Sequence, residues 1–152
     1  MVTVSDFLKN LRAIDFKSLT KTIVEENEKA IVDLNRRDQI FDKGIDAEGR
    51  KLSTYAPSTQ SIFDTQDNGS DMGRHKPTGY SYNLFWTGQS YYGFYAYVRG
   101  LNLYITTNAR GRKLLIQNGG ENIFGLTLEN QNKVNWQIIA PKINEAVREK
   151  LL

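Results

Sequence analysis

The chain has 152 residues, with 20 Lys and Arg against 17 Asp and Glu, a net charge of +3. It holds no cysteine and one histidine, which excludes disulfides, thiolate zinc sites, iron–sulfur clusters and Cys nucleophiles, and removes most multi-histidine metal sites. The length suits one domain, 1–152, large enough to build a core without covalent staples.

Ser5 to Ile14 reads as a short amphipathic helix capped by Ser5, with Phe7, Leu8, Leu11 and Ile14 at helical spacing. A long helix follows from about Asp15, its plausible cap, to Phe41, and completes a helical region over 1–43. Leu19, Ile23, Ala30, Ile31, Leu34 and Phe41 form its apolar stripe, which Asn27 interrupts. Lys43-Gly44 is a good stop, because glycine tolerates the left-handed conformation after a helix. Residues 44–83 read as an extended loop, punctuated by Gly, Pro and small polar residues, with room for a short helix over Tyr55–Ile62. So long a connection is unusual inside a compact domain, and it points to a functional extension or a segment ordered by a neighbour.

The period then changes. Over 84–128 the pattern predicts antiparallel strands. Tyr91, Gly93, Tyr95 and Tyr97 face one side of the first strand, and Tyr92, Phe94, Ala96 and Val98 the other. Arg99-Gly100 offers the turn, and Leu101 to Thr106 a second strand. Lys113–Gln117 is a third strand or one helical turn, and Asn122–Leu128 a strand or loop. A C-terminal helix runs over 130–152, which Pro141 should kink or divide. The fold class is α+β: long N-terminal helix, long loop extension, small antiparallel sheet, C-terminal helix.

Membrane and export signals are not evident. No 18 apolar residues run together, and Met1 to Thr20 lacks an uninterrupted apolar core, so neither a spanning helix nor a secretory signal is expected. The modest net charge conceals an uneven distribution. Residues 72–120 hold six bases and no acid, whereas 1–71 hold 13 acids and 10 bases. An acid-free stretch of this kind can attract phosphates or an acidic protein surface.

Residue types for catalysis are scarce. His75 lies between Arg74 and Lys76, which disfavour its protonation, and no carboxylate is identifiable to orient it. Asp42, Asp46 and Glu48 suggest a calcium loop only faintly: Gly44 and Ser53 occupy positions that an EF-hand fills with oxygen ligands. Asp46 to Gly49 is more simply a tight polar turn. No phosphate-cradling, dinucleotide, nucleophile-elbow or zinc-protease motif occurs. The expectation is no enzyme: no catalytic residue, no metal ligand and no cofactor. The strand Tyr91-Tyr92-Gly93-Phe94-Tyr95-Ala96-Tyr97 matches in part the base-stacking strand of RNA-recognition domains. With the basic segment it makes nucleic-acid binding the alternative function.

Two stretches resemble tailed-bacteriophage virion-morphogenesis proteins. One is Gln39-Ile-Phe-Asp-Lys-Gly-Ile-Asp-Ala-Glu-Gly-Arg-Lys-Leu-Ser-Thr-Tyr-Ala-Pro-Ser-Thr59, where a long helix ending in Gln precedes Gly-x-Asp-x-x-Gly-x-x-Leu. The other runs from Leu84-Phe-Trp-Thr-Gly88 through the strands to Ile123-Phe-Gly-Leu126 and the last helix. The resemblance implies a structural virion protein that forms an oligomeric ring in the neck, at the head–tail junction, or at the tail terminus, in a connector or tail-completion role. Expected partners are copies of itself, neighbouring portal, connector or tail proteins, and genomic DNA in passing. The expected place is the virion, after assembly in the host cytoplasm. Tyr91, Tyr95 and Tyr97 are the candidate subunit patch, and Tyr55, Pro57 and Pro77 belong to the loop that reaches an adjoining ring. Arg110, Arg112 and Lys113 are candidates for an acidic neighbour or DNA.

Overall fold

In the computed structural model, which describes residues 3–54, 56–57, 92–108 and 110–151, helix α1 spans Val4–Arg12. Its cap is Thr3 rather than Ser5. Thr3 Oγ1 accepts from the Asp6 N–H at 3.1 Å, and the Asp6 carboxylate accepts from the Thr3 N–H at 3.1 Å. This reciprocal box needs an acid three residues after the cap, and Asp6 stands at that distance from Thr3, not from Ser5. Helix α2, Phe16–Glu26, starts at the predicted cap: Asp15 Oδ1 accepts from the N–H groups of Lys17 and Ser18, both at 3.1 Å.

The long helix is not one α-helix. It breaks at Asn27, where the side chain donates to Ile23 O at 2.8 Å and the backbone leaves helical angles (φ −112°, ψ 15°). It resumes as α3, Glu28–Asp33, and widens into a π-helical segment, Leu34–Lys43. Gly44 closes it at φ 62°, as the glycine stop predicts. Beyond it, Ile45 and Lys51 pair across a short turn, and Leu52 is buried. Tyr55, most of the helix predicted over Tyr55–Ile62, Pro77, His75 and Tyr91 lie outside the described residues.

The sheet is smaller than expected. Among the described residues it has two strands, β1 (Phe94–Arg99) and β2 (Asn102–Thr107), paired antiparallel from Phe94↔Thr107 to Arg99↔Asn102. The turn residues are Gly100 and Leu101 rather than Arg99 and Gly100. Gly100 takes φ 69°, the positive angle a two-residue hairpin requires. Tyr92 precedes β1 and is exposed, so it does not share the Phe94 face.

Lys113–Gln117 is helical, within α4, Arg112–Gly119. Consecutive apolar residues such as Leu114-Leu115-Ile116 carry no periodicity that separates helix from strand. Residues Glu121–Phe124 form a 3₁₀ turn. The last helix starts at Leu128, two residues before Asn130, because Thr127 caps it by accepting from the Asn130 N–H at 3.3 Å. It runs as α5 (Leu128–Lys133), a π-helical segment (Val134–Ile139) and α6 (Ala140–Leu151). Pro141 does not divide it: the donor it lacks falls where the wide turns have already re-spaced the hydrogen-bond ladder.

The core joins the two ends of the chain. Val24, Ile31, Val32 and Ile40 come from the N-terminal helices. Phe94, Ala96 and Ile105 come from the inner face of the hairpin, and Ile123, Phe124, Leu126 and Val134 from the C-terminal region. The result is α+β, with helices packed against one face of a hairpin whose other face is open.

Candidate interaction surfaces

A buried polar hub positions the surfaces. Asn35, Gln39 and Asn130 are each fully buried. Asn35 Nδ2 donates to Ile123 O at 2.8 Å and Gly125 O at 2.7 Å, and Gln39 Nε2 to Gly125 O at 3.0 Å. Gln39 Oε1 accepts from the Thr127 N–H at 2.8 Å and from Asn130 Nδ2 at 3.0 Å. Asn130 Nδ2 also lies 3.0 Å from Leu34 O, a carbonyl at the start of the π-helical segment. Asn35 Oδ1 alone, among buried side-chain atoms of the described residues, has no partner.

The same region ties the turn after Gly44 to the 3₁₀ turn. The Ala47 N–H donates to Asn122 O at 3.0 Å, and Asn122 Nδ2 to Glu48 Oε1 at 2.7 Å. Gly125 lies so close that a Cβ there would stand 2.6 Å from Ala47 Cβ. Asp46 spends its carboxylate within the turn. Oδ1 accepts from the N–H groups of Glu48 and Arg50, and Oδ2 pairs with the Arg50 guanidinium at 2.8 Å.

Charged groups ring the hub. Lys43 pairs with Asp38 at 3.1 Å and Glu129 at 3.5 Å, and Lys133 with Glu129 at 2.7 Å. Burial pushes the Asp38 carboxyl up, but hydrogen bonds from Asn130 and Lys43 outweigh it and hold it below its ordinary value. The hydrogen bond to Asp38 raises Lys43, and that from Lys133 lowers Glu129.

The open face of the hairpin carries three tyrosines. Tyr97 and Tyr104 are cross-strand partners whose rings stack at 5.3 Å and 16°, and Tyr95 leans on Tyr97 at 5.9 Å. Cross-strand aromatic pairing of this kind contributes ~0.5–1.5 kcal/mol beyond burial. Each ring stays about 40% exposed. Of the tyrosines expected in one patch, Tyr95 and Tyr97 are brought together, and Tyr104 joins them through the register. Pro57 is exposed.

The basic set divides. Arg112 lies with its guanidinium 5.5 Å from the Phe124 ring and reaches Glu121 at 3.8 Å. Phe124 in turn packs on Phe94, on the hairpin's inner side. Arg112 is therefore engaged away from the tyrosine face. Arg110 and Lys113 are exposed and make no ion pair among the described residues. Arg112 and Lys113 also open α4 at the end where the helix dipole disfavours cations.

Among the described residues, no three His, Asp or Glu side chains gather as a metal site, and no helix is long and apolar enough to cross a membrane. Sequence reasoning missed the hub. Its signal was Asn35 and Gln39, four residues apart and continuing the buried stripe of Ile31. No family model matches the chain, and neither curated proteins nor solved structures yield a match.

Proposed function

We propose that the chain is a structural virion protein of a tailed phage, assembling as a homo-oligomeric ring in the neck or at the tail terminus and carrying out no chemistry. One observation carries this reading. Gln39, which opens the first stretch that resembles virion-morphogenesis proteins, donates to the carbonyl of Gly125 in the second, 86 residues on, and accepts from Thr127 just beyond it. The residues that carry the resemblance thus share a physical task, and that supports reading them as one pattern rather than two coincidences.

The exposed tyrosine face supports the assembly part of the reading. Tyrosine is enriched at protein interfaces, and a cyclic ring needs two different patches on each subunit. Tyr95, Tyr97 and Tyr104 supply one of them. Portal, connector or tail proteins are the neighbours in this reading, with the virion as the place of action. Nucleic-acid binding has less support, since Arg112 is occupied by Phe124 and Glu121 rather than standing beside the stacked tyrosines.

Native mass spectrometry and electron microscopy of the chain, alone and mixed with portal and tail components, test the proposal. Closed rings are expected. Monomers throughout, with those partners present, would overturn it.

A further inference from the structure

Between the hairpin tip and the C-terminal helix lies a cleft of about 560 Å³. That falls in the range of ~300–1,000 Å³ typical of binding clefts. Val24, Val98, Leu103 and Val134 supply apolar floor, and the carboxamides of Asn102 and Asn135 stand exposed at the rim. Among the described residues the one charge in the lining is Glu48, and it is already matched: Asn122 Nδ2 donates to it at 2.7 Å and Arg50 pairs with it at 3.0 Å. The described lining offers no cation to hold a phosphate or carboxylate. A satisfied Glu48 leaves little to draw a cation. Carboxamides both donate and accept, which matches the peptide group.

The sheet edge points the same way. In an antiparallel ladder, residues alternate between pairing inward and turning their N–H and C=O outward. The Asn108 N–H donates to Gly93 O at 3.0 Å, which fixes the alternation and turns Ala96, Leu103 and Ile105 outward. On the β1 edge the Ala96 N–H is taken by Glu28 Oε1 at 3.2 Å. On the β2 edge, Leu103 and Ile105 make no hydrogen bond outside the ladder among the described residues, and both line the cleft. At Leu103 and Ile105, among the described residues, the hairpin edge beside the apolar floor is thus the open one.

We infer that this cleft takes an extended, uncharged, apolar peptide segment of another polypeptide, added as a strand along Leu103 and Ile105 of β2. Main-chain pairing supplies affinity, and alternate side chains of the incoming strand enter the floor. The inference does not depend on ring assembly, because a partner outside a ring can supply such an uncharged, apolar strand.

The test is a titration of acetylated, amidated Val-Thr-Val-Thr-Val into the full ¹⁵N-labelled chain, at a concentration where sedimentation shows monomer. Shifts are expected at the Leu103 and Ile105 amides and the Asn102 and Asn135 side chains, with slowed hydrogen exchange at Leu103 and Ile105. The same peptide N-methylated at alternate residues should bind at least ~10-fold more weakly, since each methyl removes a main-chain donor. Val98→Lys should abolish binding while the ladder amides of β1 stay protected, and Asn135→Asp, at the exposed rim, should weaken it. Absence of shifts at Leu103 and Ile105 at millimolar peptide would overturn the inference. So would equal binding of methylated and unmethylated peptides, which would mark the cleft as a site for small apolar ligands.

Discussion

Truncating Gln39 tests the hub most directly. In Gln39→Ala the Thr127 N–H loses its acceptor, while Gly125 O keeps Asn35 and Asn130 keeps Leu34 O. A buried donor left unpaired costs about 1–3 kcal/mol, and the half-buried Thr127 N–H falls toward the lower end. The vacated side-chain volume adds to that, since large-to-small changes in cores cost about 2–5 kcal/mol, with relaxation recovering part. The expected loss is therefore about 3 kcal/mol or more. At ~2–4 °C per kcal/mol for a chain of this size, the melting midpoint should fall by about 6–12 °C. Urea and thermal unfolding followed by circular dichroism measure it. Asn118→Ala is the control: Asn118 donates to Leu114 O at an exposed site, and its loss should stay within ~0.5 kcal/mol. In a double-mutant cycle with Asn130→Ala, the coupling should exceed ~1 kcal/mol, because the two amides share the Gln39 oxygen. A loss below ~1 kcal/mol for Gln39→Ala would refute the idea that the hub bears stability.

Three further outcomes are expected. Gly125→Ala should destabilise by about 1–3 kcal/mol through the contact with Ala47, and Ala47→Gly in the same chain should restore most of it in the same melts. Tyr97→Ala with Tyr104→Ala should shift the assembly toward monomer in sedimentation velocity, while the midpoint moves by only a few degrees. Asp6, Asp15 and Asp38 are all held below their ordinary value of 3.8, the first two by hydrogen bonds at their caps. Folded values below the unfolded ones give stability that is complete above 3.8 and drains away as pH falls through the lower folded values. Urea midpoints across the acid range should trace that loss, and Asp38→Asn should make it shallower.

What the sequence made legible was local. Asp15 and Gly44 mark a cap and a stop through chemistry confined to a few residues, and alternation placed Tyr95 and Tyr97 on one face. Asn27 was visible as an interruption, and it breaks the helix. The π-helical segments were not visible. They answer to tertiary partners, such as Asn130 reaching Leu34 O from 96 residues away, that no window of sequence contains. The cap at Thr3 was readable in principle from Asp6. The run Leu114-Leu115-Ile116 was not, because unbroken apolar residues suit either period. The cleft escaped for the same reason as the hub: its floor assembles from α2, the hairpin and the last helix.

The span of the hub also bears on how the chain is made. Asn35 and Gln39 leave the ribosome some 90 residues ahead of Ile123, Gly125 and Asn130. At ~5–20 residues per second, the nascent N-terminal helices wait about 5–18 s with these amides and the Ile31 and Ile40 faces uncovered. The interior therefore closes only after Ile123 to Asn130 have emerged. During that interval the nascent chain is most open to chaperones, or to another copy of itself on the same message.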